Sequence, residues 1–217
     1  MKIDQSTINV LKNFANINQS IIINEGNVLE TISSTKTIKA TATVPTVFPR
    51  RFAIYNLNKL ISSLSLFDDP DVEFNENSLT ISDGTRSVQL TYSDESTIIK
   101  VPDRKLVLPS IDVSVDITKE SMKMIEKALG ILAVTEIIIT GINGKVYIQA
   151  ANSVNPSGDF YSIEIGESSN NFKAIYKSEN IKILPGDYKV EISKRYVSRF
   201  YNSEVDYFIS VEQHSVF

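Results

Sequence analysis

The chain has 217 residues, 42% hydrophobic and 22% charged, enough to bury one sizeable core or two of about a hundred residues each. Net charge is −4, with 11 basic against 12 acidic residues up to position 105 and 11 against 14 beyond it, so neither part grips nucleic acid by charge alone. The absence of cysteine excludes disulfides and thiolate zinc sites, no apolar run reaches membrane-spanning length, and the start MKIDQSTINV lacks the apolar core of a signal peptide, so a soluble intracellular protein is expected.

Residues 1–4 read as a short strand and 6–16 as a helix, with Ile8, Leu11, Phe14 and Ala15 on one face and Asn9, Lys12, Asn13 and Asn16 on the other. Strands at 20–24 and 27–32 flank Glu25-Gly26, which is hairpin chemistry. Residues 36–44 alternate apolar and polar as a half-buried antiparallel strand does, Pro45 and Pro49 bracket a loop, and 51–55 form a strand. Asn56 caps a helix ending near Phe67, with Leu57, Leu60, Ile61 and Leu64 inward and Asn58, Lys59 and Ser62 outward; Asp68-Asp69-Pro70 stops it. Strands follow at 72–74, 78–82 and 86–92, and then a proline-marked connector at about 94–113.

Beyond a strand at 113–117, the stretch TKESMKMIEKALGILA (118–133) reads as a helix capped by Thr118. Lys119, Lys123 and Lys127 recur every four residues along one stripe, opposite Ile125, Leu129 and Leu132, with Met122 and Ala128 flanking. Two readings compete: a solvated surface helix, diluted by Glu120 and Glu126, or a helix offering lysines to a partner. Strands at 136–140 and 145–149 surround Asn143-Gly144, a strong hairpin turn, and others lie at 159–165, 172–176, 188–193 and 205–211. A short helix at 179–184 is capped by Ser178 and stopped by Pro185-Gly186. Residues 194–204, KRYVSRFYNSE, read as a hairpin between the last strands; the alternative is single-strand nucleic-acid binding by Arg195, Tyr196, Arg199, Phe200 and Tyr201.

The second part repeats the first. Ile21-Ile22-Ile23 recurs as Ile137-Ile138-Ile139 at an offset of 116, and Ala53-Ile54-Tyr55 as Ala174-Ile175-Tyr176 at 121, in the same order and the same structural slots. This predicts an α+β chain of two similar domains, 1–105 and 106–217, each an antiparallel sheet with two helices on one face.

On Leu11-Lys12-Asn13-Phe14-Ala15, Ala53-Ile54-Tyr55-Asn56-Leu57-Asn58, Leu64-Ser65-Leu66 and Leu184-Pro185-Gly186-Asp187-Tyr188-Lys189, the sequence resembles the sliding clamps of T-even-type bacteriophages, ring-shaped processivity factors of DNA polymerase. The resemblance covers nearly the whole chain and rests on structural residues rather than a catalytic signature. It implies the DNA clamp fold, with three subunits joined head to tail around duplex DNA, twelve helices lining the hole and sheets outside. It also implies an ATP-driven clamp loader, a tethered DNA polymerase, transcription factors as further partners, and action in the cytoplasm of an infected bacterium. The helix faces toward the hole would then carry Lys12, Lys59, Lys119, Lys123 and Lys127, with Lys177 and Lys182 at the fourth helix. Lysine, a mobile point charge, suits a surface that must slide, whereas arginine makes bidentate phosphate contacts.

By the same resemblance, subunits meet where a strand bearing Arg86, Val88, Leu90 and Tyr92 pairs with one bearing Phe160, Ser162 and Glu164. Partner peptides dock beside the connector, at Leu106, Val107, Leu108, Pro109 and Ile111, although these residues could equally pack on their own domain. No catalytic residue, metal or cofactor is expected. The one histidine, His214, rules out histidine triads and multi-histidine metal sites, Asp68, Asp69 and Asp71 read as a solvated helix stop, and the glycines at 141 and 144 are too close for a phosphate loop. The alternatives are a phage structural or assembly protein with duplicated β-rich domains, and a carboxylate-dependent hydrolase.

Overall fold

In the computed structural model, which describes residues 1–155 and 157–217, Asp4 rather than Ser6 starts the first helix. Its carboxylate accepts from the Ser6 amide at 2.8 Å, and α1 runs Gln5–Ile17. The buried face is Thr7, Val10, Leu11, Asn13, Phe14 and Ile17, turned slightly from the predicted one, so Asn13 goes inward while Lys12 and Asn16 stay exposed. Residues 1–4 form no strand, but Met1 exchanges two backbone hydrogen bonds with Val72.

The chain separates into two units, Met1–Asp103 and Arg104–Phe217. The first continues with β1 (Ile21–Ile23), β2 (Gly26–Ile32), β3 (Ile38–Phe48), β4 (Phe52–Ile54), α2 (Leu57–Leu64), β5 (Asp71–Phe74), β6 (Ser78–Ser82), β7 (Ser87–Thr91) and one 3₁₀ turn, Glu95–Thr97. The predicted hairpin at Glu25-Gly26 does not form. Strand β1 pairs antiparallel with β4, and β2 with β3. Local turn chemistry loses to burial: Ile21, Ile23, Phe52, Ala53 and Ile54 are all 5% exposed or less, and only their mutual pairing buries them together. Strand β3 also runs through the predicted Pro45 loop to Phe48. Pro45 is tolerated because it falls in a register irregularity, between the Val28–Thr43 and Gly26–Phe48 pairs. Helix α2 starts as predicted, with the Asn56 side chain accepting from the Lys59 amide at 3.0 Å, but ends at Leu64.

The second unit holds β8 (Val113–Ile117), α3 (Lys119–Leu132), β9 (Glu136–Ile142), β10 (Lys145–Ala151), β11 (Tyr161–Glu167), β12 (Phe172–Lys177), β13 (Tyr188–Ser193), β14 (Val197–Tyr201) and β15 (Val205–Ser210). One sheet has the order β11-β10-β9-β12, and β8, β13, β14 and β15 pair in sequence in the other. Asn143 (φ 51°) and Gly144 (φ 82°) make the left-handed turn that a two-residue hairpin needs.

The predicted helix at 179–184 is absent. Only a 3₁₀ turn, Ser178–Asn180, forms there, without a side-chain cap. Pro185 disfavours helical backbone at Leu184, and too few residues precede it to repay nucleation. Tyrosine hydroxyls hold the segment instead: the Leu184 amide donates to Tyr207 Oη (3.0 Å), and Tyr188 Oη donates to the Leu184 carbonyl (2.7 Å). Among its described residues the unit therefore has one α-helix where two were predicted.

Gly141 in β9 lies against Phe172 of β12; a Cβ there would sit 2.5 Å from the Phe172 ring and 2.7 Å from the Asn170 carbonyl. Gly141→Ala is expected to cost about 1–3 kcal/mol by overpacking, read as a lower urea midpoint at unchanged slope. A midpoint equal to the parent's would mean that the two strands stand further apart.

Candidate nucleic-acid interface

In the first unit Lys12 on α1 and Lys59 on α2 are exposed, each set by a helix whose opposite face is core. In the second, Lys119, Lys123 and Lys127 are exposed along α3, opposite Ser121, Met122, Ile125 and Ala128. The Thr118 hydroxyl oxygen accepts from the Ser121 amide at 3.1 Å, which fixes the start of the stripe. Leu129 and Leu132 are only half-buried, and Ile131 is 70% exposed, so the apolar face is narrower than the periodicity implied. Lys177 is exposed at the end of β12, not on a helix, and Lys182 is half-buried in the irregular segment after the 3₁₀ turn. The last two lysines therefore lack the helical platform of the other five.

The strands expected to meet between subunits are both sheet edges. Among the described residues, strand β7 neighbours only β6, and β11 only β10. The opposite edges of the same sheets are covered. Met1 exchanges backbone bonds with Val72 on β5. On β12, Lys173 exchanges them with Val216 at 2.8 and 2.9 Å, and the Ile175 amide donates to Ser215 Oγ. At the open edges Val88, Ile163 and Ile165 are half-buried, Leu90 is buried and Phe160 is 60% exposed. Arg86 and Tyr92 flank β7 rather than lying in it, and Arg86 is drawn back to Asp83, Nε to carboxylate at 2.9 Å. Ser162 and Glu164 face outward on β11, with Glu164 accepting from Lys145 Nζ at 2.5 Å.

The apolar strip of the connector is not core. Val107 is 75%, Ile111 59% and Leu106 41% exposed; Leu108 is half-buried and Pro109 exposed. The strip's far end is fastened. Ser110 Oγ lies 2.8 Å from Ser193 Oγ, and the Lys194 amide donates to Asp112 at 3.0 Å. The Ser110 hydroxyl and then the Lys194 amide hold the Asp112 carboxyl below its ordinary range. These anchors lie some eighty residues apart in sequence, which is why they were not foreseen.

The 194–204 segment is a strand and two turns. Arg199 on β14 makes a two-pronged ion pair with Asp206 on β15 (2.8 and 3.0 Å) and stacks 4.1 Å from the Tyr201 ring, so its guanidinium is committed within the sheet. Among the described residues no group of three or more His, Cys, Asp or Glu side chains is placed to hold a metal, and no helix is long and apolar enough to cross a membrane.

Comparison with known proteins bears on the fold and the lineage. The sequence profile of the DNA polymerase processivity factors matches residues 2–100, and that of the gp45 sliding clamp C-terminal domain matches 114–213. The sliding clamp of Vibrio phage KVP40 is 30% identical over 98% of this chain and 99% of its own. That of Escherichia phage RB69 is 32% identical over 99% and 98%. Among solved structures, A. fulgidus PCNA bound to the C-terminal region of FEN-1 aligns with a TM-score of 0.68 at 12% identity over 94% of each chain. The Helicobacter pylori beta clamp bound to a DNA ligase peptide aligns at 0.66 and 14% identity, over 98% of this chain and 66% of that one. At such identities these two structures speak for the fold, while the phage relatives speak for the lineage. The chain belongs to the phage sliding clamps, the processivity factors of DNA polymerase.

Proposed function

We propose that three copies close head to tail into a ring around duplex DNA, with β7 of one copy pairing edge to edge with β11 of the next. The observation that carries this is the asymmetry of the edges: in each unit one sheet is covered on one side and left open, with half-buried apolar residues, on the other. An open strand edge is a pairing template, and a heterologous contact between unlike patches generates a ring when its rotation closes. The exposed lysines of α1, α2 and α3 then face the hole and hold phosphates loosely, so retention comes from linkage rather than affinity. The ring does no chemistry itself. An ATP-driven loader opens it, it tethers the replicative polymerase in the cytoplasm of the infected cell, and transcription factors use the same docking surface. Light scattering coupled to gel filtration is expected to give three times the 24.2 kDa chain mass at high concentration. A mass of one subunit there removes the ring.

The exposed strip Leu106–Ile111 is the docking surface in this reading, since an unpartnered apolar run suits a peptide with a few hydrophobic anchors. Leu108→Ala or Ile111→Ala is expected to weaken the cognate polymerase's C-terminal peptide by about 1–3 kcal/mol in fluorescence anisotropy, with little change in melting. A sharp fall in melting with affinity intact would make these residues core.

A further inference from the structure

We infer that the first unit carries a small-molecule site between α1 and α2, and that its ligand is an apolar monoanion, an aryl or medium-chain carboxylate. Helix α2 ends at Leu64, short of the Phe67 that the sequence suggested, and the turn that follows passes Asp69 in the left-handed region (φ 54°) before Pro70. That turn, the first turns of α1 and residues 2–3 enclose a cavity of about 460 Å³ within this unit. Small-molecule sites span roughly 300–1,000 Å³, so the space suits a whole ligand. Its lining shares no residue with the connector strip or with the open strand edges.

The side chains around the cavity set the chemistry of the occupant. Ile3, Ile8, Ile61, Leu64, Phe67 and Pro70 form apolar walls, and the three isoleucines are only half-buried by the chain itself. An apolar body seated there removes that surface from water. Most polar side chains at the cavity are already committed. Asp4 accepts from the Ser6 amide and hydroxyl at 2.8 and 2.6 Å, Gln5 donates to Asn9 at 3.2 Å, and Ser65 donates to the Ser62 carbonyl at 2.7 Å. Lys2 pairs with Asp69 and Asp71 at 3.2 and 3.6 Å. Lys12 is the exception: it is exposed, and among the described residues its ammonium has no partner. It stands one helical turn beyond Ile8 on the same face, and helical side chains lean toward the N-terminus, which is why Lys12 lines the cavity. A carboxylate on an apolar body therefore meets a free counter-ion, whereas a cation meets only carboxylates that are already engaged. A neutral ligand gains the walls and not the charge.

The test uses the whole chain with labelled isoleucine methyls, at low salt so that an exposed charge contact is not screened, and three probes: naphthoate, naphthamide and naphthylmethylammonium. Saturable shifts at Ile3, Ile8 and Ile61 are expected with naphthoate, with the amide needing at least threefold more and the ammonium more still. In Lys12→Met, which changes an exposed side chain and should leave melting unchanged, naphthoate should bind no better than the amide. Lys59→Met, on α2 but outside the lining, should leave naphthoate binding within twofold of the parent's. Absence of a saturable shift, equal response to the three probes, full naphthoate affinity in Lys12→Met, or an equal loss in Lys59→Met overturns the site. The readout needs neither ring closure nor DNA, so failure of this site and failure of the clamp reading are told apart.

Discussion

Val88→Lys combined with Ile163→Lys is expected to leave a folded monomer. Val88 lies on the open edge strand β7 and Ile163 on the open edge strand β11, and both are half-buried. In the proposed ring each interface would bring two ammonium groups into an apolar seam. Like-charge juxtaposition costs several kcal/mol; about 3 kcal/mol per interface is a loss of about a hundredfold in association. Light scattering should show the mass fall from three subunits to one, and clamp-dependent primer extension should be lost. Circular dichroism should be preserved, since neither side chain is fully buried. A double variant that stays folded and trimeric would mean that these edges do not meet.

The second large effect concerns the lysine stripe. Lys123→Glu with Lys127→Glu reverses two exposed charges per subunit on the polar face of α3. Fold and mass should be unchanged, because the helix buries Met122, Ile125 and Ala128 on its other side. Clamp-dependent extension should drop about tenfold at 0.15 M salt, and the parent's own extension should decline with added salt as exposed charge contacts are screened. Unfolding of the variant would overturn the face assignment. Normal synthesis would mean that α3 does not face DNA.

Much of the secondary structure was legible because its causes are local. Thr118 and Asn56 cap their helices through their own side chains, and Asn143-Gly144 alone can take the left-handed turn between β9 and β10. Strand β14 lies inside the stretch whose composition reads as a hairpin between the last strands; its alternation, with Ser198 and Phe200 buried and Val197, Arg199 and Tyr201 only partly so, carries the strand signal. The lysines of the polar faces were legible for the same reason as the helices: a period of 3.6 sorts side chains before any tertiary contact exists.

By itself, then, the sequence determined the α+β pattern, three of its helices and which of their lysines stay in water. Only the tertiary structure decided where strands find partners. Glu25-Gly26 is good hairpin chemistry, yet β1 leaves β2 for β4, since a turn contributes little against the burial of Ile21, Ile23 and Phe52. Likewise Ser178 and the residues after it look like a helix start, but the hydroxyls of Tyr188 and Tyr207 take the backbone of Leu184 and the helix is not made. Which edges remain open follows from those long-range choices, because pairing and burial join residues whose separation along the chain carries no local signal.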